Sequence, residues 1–153
     1  MILSTLVTAS ETGESPFAVR IQMEAFELTG DEPASQGGGG LGPSPFQLMS
    51  AALAECTAMT VRWYARQQGW PVDHVVVTVE HRRGRVEGSA NTFELFEKTV
   101  SIAGAKLSEE QRAHLLSVAE KCPVHRALEG GSRLSSTGTD QTMLWNRAEM
   151  PHL

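Results

Sequence analysis

Cysteine is scarce, with only Cys56 and Cys122 in a chain of 153 residues. A small secreted domain stapled by disulfides needs a denser set, so that class is excluded. Two thiols in such a chain read instead as buried side chains, metal ligands or a redox couple. Positive charge is also in short supply: 13 Lys and Arg against 18 Asp and Glu leave a net charge of −5, with no long basic run. Neither nucleic acid nor an anionic membrane surface is therefore expected as a partner. Long apolar runs are missing as well. The most apolar stretch, Phe46 to Ala65, is broken by Gln47, Glu55 and Arg62, so no membrane-spanning helix is expected. Met1–Ser10 lack the basic and apolar regions of a signal peptide, which points to the cytoplasm.

What is present suits one α+β domain. The composition is 41% hydrophobic and 20% charged, and the length suffices to bury a core without staples. Short alternating segments at Met1–Ser10, Pro16–Gln22 and Ala25–Thr29 read as three strands, with turns at Thr12-Gly13 and near Met23-Glu24. Gly30–Pro45, with five glycines from Gly37 to Gly42 and three prolines, reads as a long loop able to leave a cleft over the next element. Ser44 is placed as N-cap and Pro45 in the first turn of a helix running over Phe46–Gln68, stopped by Gly69. The first half of that helix is apolar on nearly every face, as in a helix buried on most sides. Val72–Arg83 and Thr92–Ile102 read as an antiparallel hairpin. Ser108 and Gln111 form a capping-box pattern at the start of a second helix reaching about Lys121. A short helical turn over Val124–Leu128 and a strand over Arg133–Thr137 close the order β-β-β-α-β-β-α-(α)-β. The fold class is α+β, with a single domain over 1–137 and a tail over 138–153.

Each cysteine has two readings. Cys56, in mid-helix among Ala, Leu and Met, is either a small core hydrophobe or a thiol activated by a nearby cation or donor. Cys122, just before Pro123, either fills a helix end or sits where local unwinding can swing it toward a sulfenic acid. His125, three positions later, suits a Cys–His nucleophile pair or a hydrogen bond to the turn. A metal set of Cys56, Cys122 and His125 lacks the tight spacing of zinc sites. Phe46, Trp63, Tyr64 and Trp70 suit a core, an interface or an apolar pocket.

The residues Gly42-Pro43-Ser44-Pro45, Ala51-Ala52-Leu53-Ala54-Glu55-Cys56-Thr57-Ala58-Met59-Thr60, Gly69-Trp70-Pro71, Leu107–Arg112 and Lys121-Cys122-Pro123-Val124-His125 together resemble the OsmC/Ohr family, named for osmotically induced and organic-hydroperoxide-resistance proteins. The likeness is to its broad OsmC-like branch and spans roughly residues 17–137. It implies an intertwined homodimer with the Cys-bearing helices at the centre. It also implies a peroxidatic thiolate at Cys56 that becomes a sulfenic acid, and a resolving thiol at Cys122 that condenses with it to a disulfide. An external thiol or dithiol, from a lipoyl protein, thioredoxin or a small thiol, then reduces that bond. No bound cofactor or metal is implied.

One departure bears on activation. In the well-studied branches an Arg and a Glu flank the peroxidatic Cys, the Glu following the Pro of a G-x-N-P-E motif. Here Phe46 stands at that position and Gln47 follows. Arg20, on the second strand, is the candidate cation; otherwise it is an exposed charge on a polar face. Glu55 reads as an interface or solvent-facing acid. The expected function is thiol-dependent reduction of organic hydroperoxides. The alternatives are a ligand-binding or redox-sensing protein with little turnover, and a hydrolase using Cys and His125.

Overall fold

The computed structural model describes residues 4–138. Alternation in the N-terminal third produces β1 (Val7–Glu11), β2 (Val19–Met23) and β3 (Phe26–Gly30), which form an antiparallel sheet in that order. Met23 pairs with Phe26 across a two-residue turn, where Glu24 takes a positive φ of 51°. Such a hairpin turn usually puts glycine at this position.

The glycine-rich loop then folds onto itself around a single short 3₁₀ turn at Ala34–Gln36. Asp31, only 3% exposed, organises it. Its carboxylate accepts from the Ser15 hydroxyl and from the amides of Glu32, Gly39 and Leu41. Gly42 is required by close approach: a Cβ there would lie 1.9 Å from the Thr29 carbonyl oxygen.

Helix α1 (Pro45–Gln67) starts at a full capping box in which Ser44 and Gln47 satisfy each other's backbone amides. It buries Leu53, Thr57, Val61 and Ala65, four residues apart and so nearly above one another. This stripe packs on β4 (His74–Arg85) and on α2 (Glu109–Ala119), which begins at the expected Ser108–Gln111 capping box. β4 pairs antiparallel with β5 (Thr92–Ala103) along its whole length. Val61, Ala65, Val72, Ile102, Leu107, Leu115 and Ala119 form the core. A final helix, α3 (Pro123–Gly130), lies against α1.

Three features differ from expectation. Within one chain α1 is buried along one stripe rather than on most sides, because β4 and α2 cover only that side. Met59 and Trp63, on the opposite side, are 61% and 62% exposed. Arg133–Thr137 is irregular rather than a strand. A strand exists only by pairing, and no described strand runs beside this segment; Leu134 is 94% exposed. The first strand starts at Val7, and residues 1–3 of its expected span lie outside the described residues, as do 139–153 of the tail. Among the described residues no helix is long and apolar enough to cross a membrane.

Candidate thiol site

Both cysteines come from helices, and the packing of α3 on α1 brings them together. Cys56 sits midway along α1, one residue before the buried Thr57, and is half-buried. Cys122 is completely buried and is the N-cap of α3, with Pro123 at the first helical position. A sulfur takes the capping place usually held by a hydroxyl or carboxylate oxygen. Its Sγ accepts from the amide of His125 at 3.2 Å and from the Thr57 hydroxyl at 3.5 Å. The Cys56 thiol lies close enough for the two sulfurs to influence each other's ionisation.

The two sulfurs therefore stand in different electrostatic settings. Burial pushes the Cys56 thiol up. The Val124 amide and the Thr60 hydroxyl oppose this, but the bond to Cys122 and its charge reinforce it, and the net direction is upward. Burial also pushes Cys122 up. There the Thr57 hydroxyl, the His125 amide, the Cys56 thiol and the charge of Lys98 outweigh it, and the net direction is downward.

Cys56 faces an open groove of about 610 Å³ lined by Ala52, Glu55, Met59, Thr60, Trp63, Pro123 and Val124. The lining is apolar apart from Glu55, Thr60 and the thiol itself. The groove lies between α1 and α3; the glycine loop, whose amides are turned onto Asp31, leaves a separate cleft of about 270 Å³ at the start of α1, lined by Asp31, Pro43, Pro45 and Leu48 and away from Cys56. Cys122 does not line this groove; it lies behind Cys56.

The remaining expected residues are placed as follows. Arg20 stays on the β1–β3 sheet, its guanidinium 3.5 Å from Glu27, and is not among the groups around either sulfur. His125 contributes its backbone amide to Cys122, while its ring lies 3.6 Å from Glu120 and 3.3 Å from Glu129. That arrangement is the turn hydrogen bond rather than a Cys–His nucleophile pair. Phe46 stacks on His81 of β4, with ring centroids 4.3 Å apart and planes 4° from parallel. The place of the family's acid is thus filled by an aromatic contact. Among the described residues no three His, Cys, Asp or Glu side chains converge to hold a metal ion.

Two site residues escaped the sequence reading. Thr57 is read as one more small residue of a buried helix, yet its hydroxyl is aimed at Cys122. Lys98 is only 7% exposed; it donates to the Ala119 carbonyl at 2.9 Å and lies 3.5 Å from Glu120. A signal for Lys98 exists: it shares the inward phase of β5 with Phe96, Val100 and Ile102, where a charge is out of place.

Fold and site together define an α+β protein whose two thiols meet beneath an apolar groove. A sequence-family model described as OsmC-like protein matches residues 37–137, and the chain belongs to that family. Solved structures share the fold. An organic hydroperoxide resistance protein OsmC from Legionella pneumophila is 22% identical, with a TM-score of 0.66 over 85% of this chain and 92% of the other. An OsmC-like protein from Mycoplasma pneumoniae is 20% identical, with a TM-score of 0.69 over 85% and 90%. A putative organic hydroperoxide resistance protein from Vibrio cholerae, with captopril bound in one of its active sites, is 25% identical, with a TM-score of 0.65 over 86% and 88%. No individual curated protein matches the chain in sequence.

Proposed function

We propose that this protein reduces organic hydroperoxides with its two thiols. The carrying observation is that Cys56 lines an apolar groove open to a bulky substrate, and that Cys122, far from it in sequence, is buried behind it and hydrogen-bonded to the next residue of α1, Thr57. The Cys56 thiolate attacks the O–O bond, its sulfur is oxidised to a sulfenic acid, and the alkoxide leaves and takes a proton to become the alcohol. Cys122 then attacks the sulfenic sulfur, forming the disulfide and releasing water. An external thiol or dithiol supplies two electrons and restores both thiols. The relatives named for organic hydroperoxide resistance support this reading. A couple that must be re-reduced suits the cytoplasm.

The working unit we propose is a homodimer. Among the described residues the β1–β3 sheet has no extensive packing against a helix or against β4–β5; Phe26 on it and Phe17 in the β1–β2 connection are exposed, as are Met59 and Trp63 on α1. A second copy would cover these surfaces.

The test is to mix the reduced protein with cumene hydroperoxide, then measure free thiols and intact mass. The expected result is loss of both thiols as an intramolecular disulfide in the wild type. Cys56→Ser should not react, and Cys122→Ser should stop at the sulfenic acid or oxidise further. Thiols unchanged in the wild type over minutes would refute peroxidase activity.

A further inference from the structure

The proposed reaction needs a thiolate at Cys56, yet the balance favours the other sulfur: at Cys56 the Val124 amide and the Thr60 hydroxyl are outweighed by burial and by Cys122. Cys122 Sγ receives the first-turn amide of α3 at 3.2 Å and the Thr57 hydroxyl at 3.5 Å. The Thr60 hydroxyl, one turn on from Cys56, donates at 2.7 Å to the Cys56 carbonyl oxygen. The charged and titratable groups around Cys122 are few. From α1 comes the Cys56 thiol; from β5, Lys98; from the α2–α3 junction, Glu120 and Lys121; from α3, His125, whose ring is turned toward Glu120 and Glu129. Glu120 is drawn off by Lys98 and His125, and its side chain is 61% exposed. Lys98 is the nearly buried charge of this set, anchored on the Ala119 carbonyl at the end of α2.

We infer that in the resting protein Cys122 carries the thiolate and that it is the base which takes the proton of Cys56 when Cys56 attacks. This inference rests on the peroxidase reading and adds to it what stands in for the missing Glu. Thr57 and Lys98 are the positioning residues that hold the charge on Cys122. The proton balance closes. Cys56–SH gives its proton to the Cys122 thiolate, and the new Cys56 thiolate attacks the outer peroxide oxygen. The alkoxide leaves into the groove and receives that same proton, relayed from the buried Cys122–SH through water, as the alcohol. Cys122 is again a thiolate, ready to displace hydroxide from the Cys56 sulfenic acid. One proton shuttles out and back, so the same sulfur serves as base, as acid and then as resolving nucleophile. The burial of Cys122 behind Cys56 keeps this thiolate away from the peroxide and from over-oxidation.

The test needs no peroxide, so it can fail while the peroxidase reading stands, and the reverse. Thiolate formation in the reduced protein is followed by its ultraviolet absorbance as pH is raised. Cys56→Ser, which leaves the His125 amide and the Thr57 hydroxyl on Cys122, should retain the early titration step of the wild type. Cys122→Ser should lose it and titrate only at higher pH. Thr57→Val, close in shape but without the donor, should move the early step up by roughly one pH unit, and Lys98→Met in the same direction. Circular dichroism shows that each variant is folded. An early step retained in Cys122→Ser, or lost in Cys56→Ser, overturns the assignment. A folded Thr57→Val with the wild-type midpoint overturns it as well, should neither cysteine variant fold.

Discussion

Asp31 gathers four donors onto one carboxylate: the Ser15 hydroxyl and the amides of Glu32, Gly39 and Leu41. Burial raises its pKa, but these hydrogen bonds outweigh burial and hold it below the usual 3.8. A depressed folded-state value means that the stabilisation is fully present above the unfolded value. It is lost as pH falls through the lower folded value. The glycine loop is therefore expected to stay ordered at neutral pH and to loosen only below about pH 3.8. The amide resonances of Gly39 and Leu41 should titrate together in that acid window. In Asp31→Asn the same resonances should show no such step and the loop should already be loosened at pH 7. A midpoint above the ordinary value would contradict this account. Ser15 is the residue to change next: Ser15→Ala removes the side-chain donor and should raise the midpoint without abolishing it.

At the scale of elements, the β2–β3 hairpin carries a strained residue. Glu24 adopts φ 51°, in the left-handed region, and it is exposed, so nothing but the turn requires it. Glu24→Gly removes the Cβ conflict and is expected to stabilise the chain by about 0.5 kcal/mol, the strain relieved less the added freedom of the unfolded state. A urea unfolding midpoint that falls rather than rises would show the turn to be held by the Glu side chain. The contrast between this hairpin and the thiol site explains what was legible from the residues alone. Both capping boxes, the long hairpin and the start of α1 follow from local signals: Ser before a helix, Gln three positions on, alternation along a strand. They appear within a residue or two of where those signals put them. Arg133–Thr137 has strand-like composition but no partner edge, and edges are not local. The adjacency of Cys56 and Cys122 was reached through family likeness, since no spacing rule brings residues of two separate helices together. Thr57 and Lys98 were missed for the same reason. A hydroxyl or ammonium becomes a site residue only through what another element places against it. Arg20 has the charge and the strand position expected of an activating cation, but Glu27, diagonal to it on the neighbouring strand, claims it.

The whole molecule leaves two surfaces unaccounted for in a single chain. One is the α1 stripe of Cys56, Met59 and Trp63 that opens on the groove; the other is the β1–β3 sheet, with Phe26 on it and Phe17 in the connection before β2. Met59, Trp63, Phe17 and Phe26 are each more than half exposed, and in the proposed dimer they would lie at the interface. If a second copy covers the α1 stripe, the open groove becomes an enclosed apolar pocket. The thiol chemistry would then depend on assembly, because desolvation strengthens the hydrogen bonds and charges around the two sulfurs. Trp63 is the largest side chain of the stripe and the natural anchor. Trp63→Glu places a charge in the proposed interface and should weaken the dimer by at least roughly 100-fold in dissociation constant. Sedimentation velocity should show a dimer for the wild type and a monomer for the variant. The melting temperature should rise with protein concentration in the wild type and be flat in Trp63→Glu. A wild type that sediments as a monomer with a concentration-independent melting temperature would refute the dimer. The groove would then be a permanently open face of the chain, and substrate selection would fall to Met59 and Trp63 as exposed walls rather than to a closed pocket.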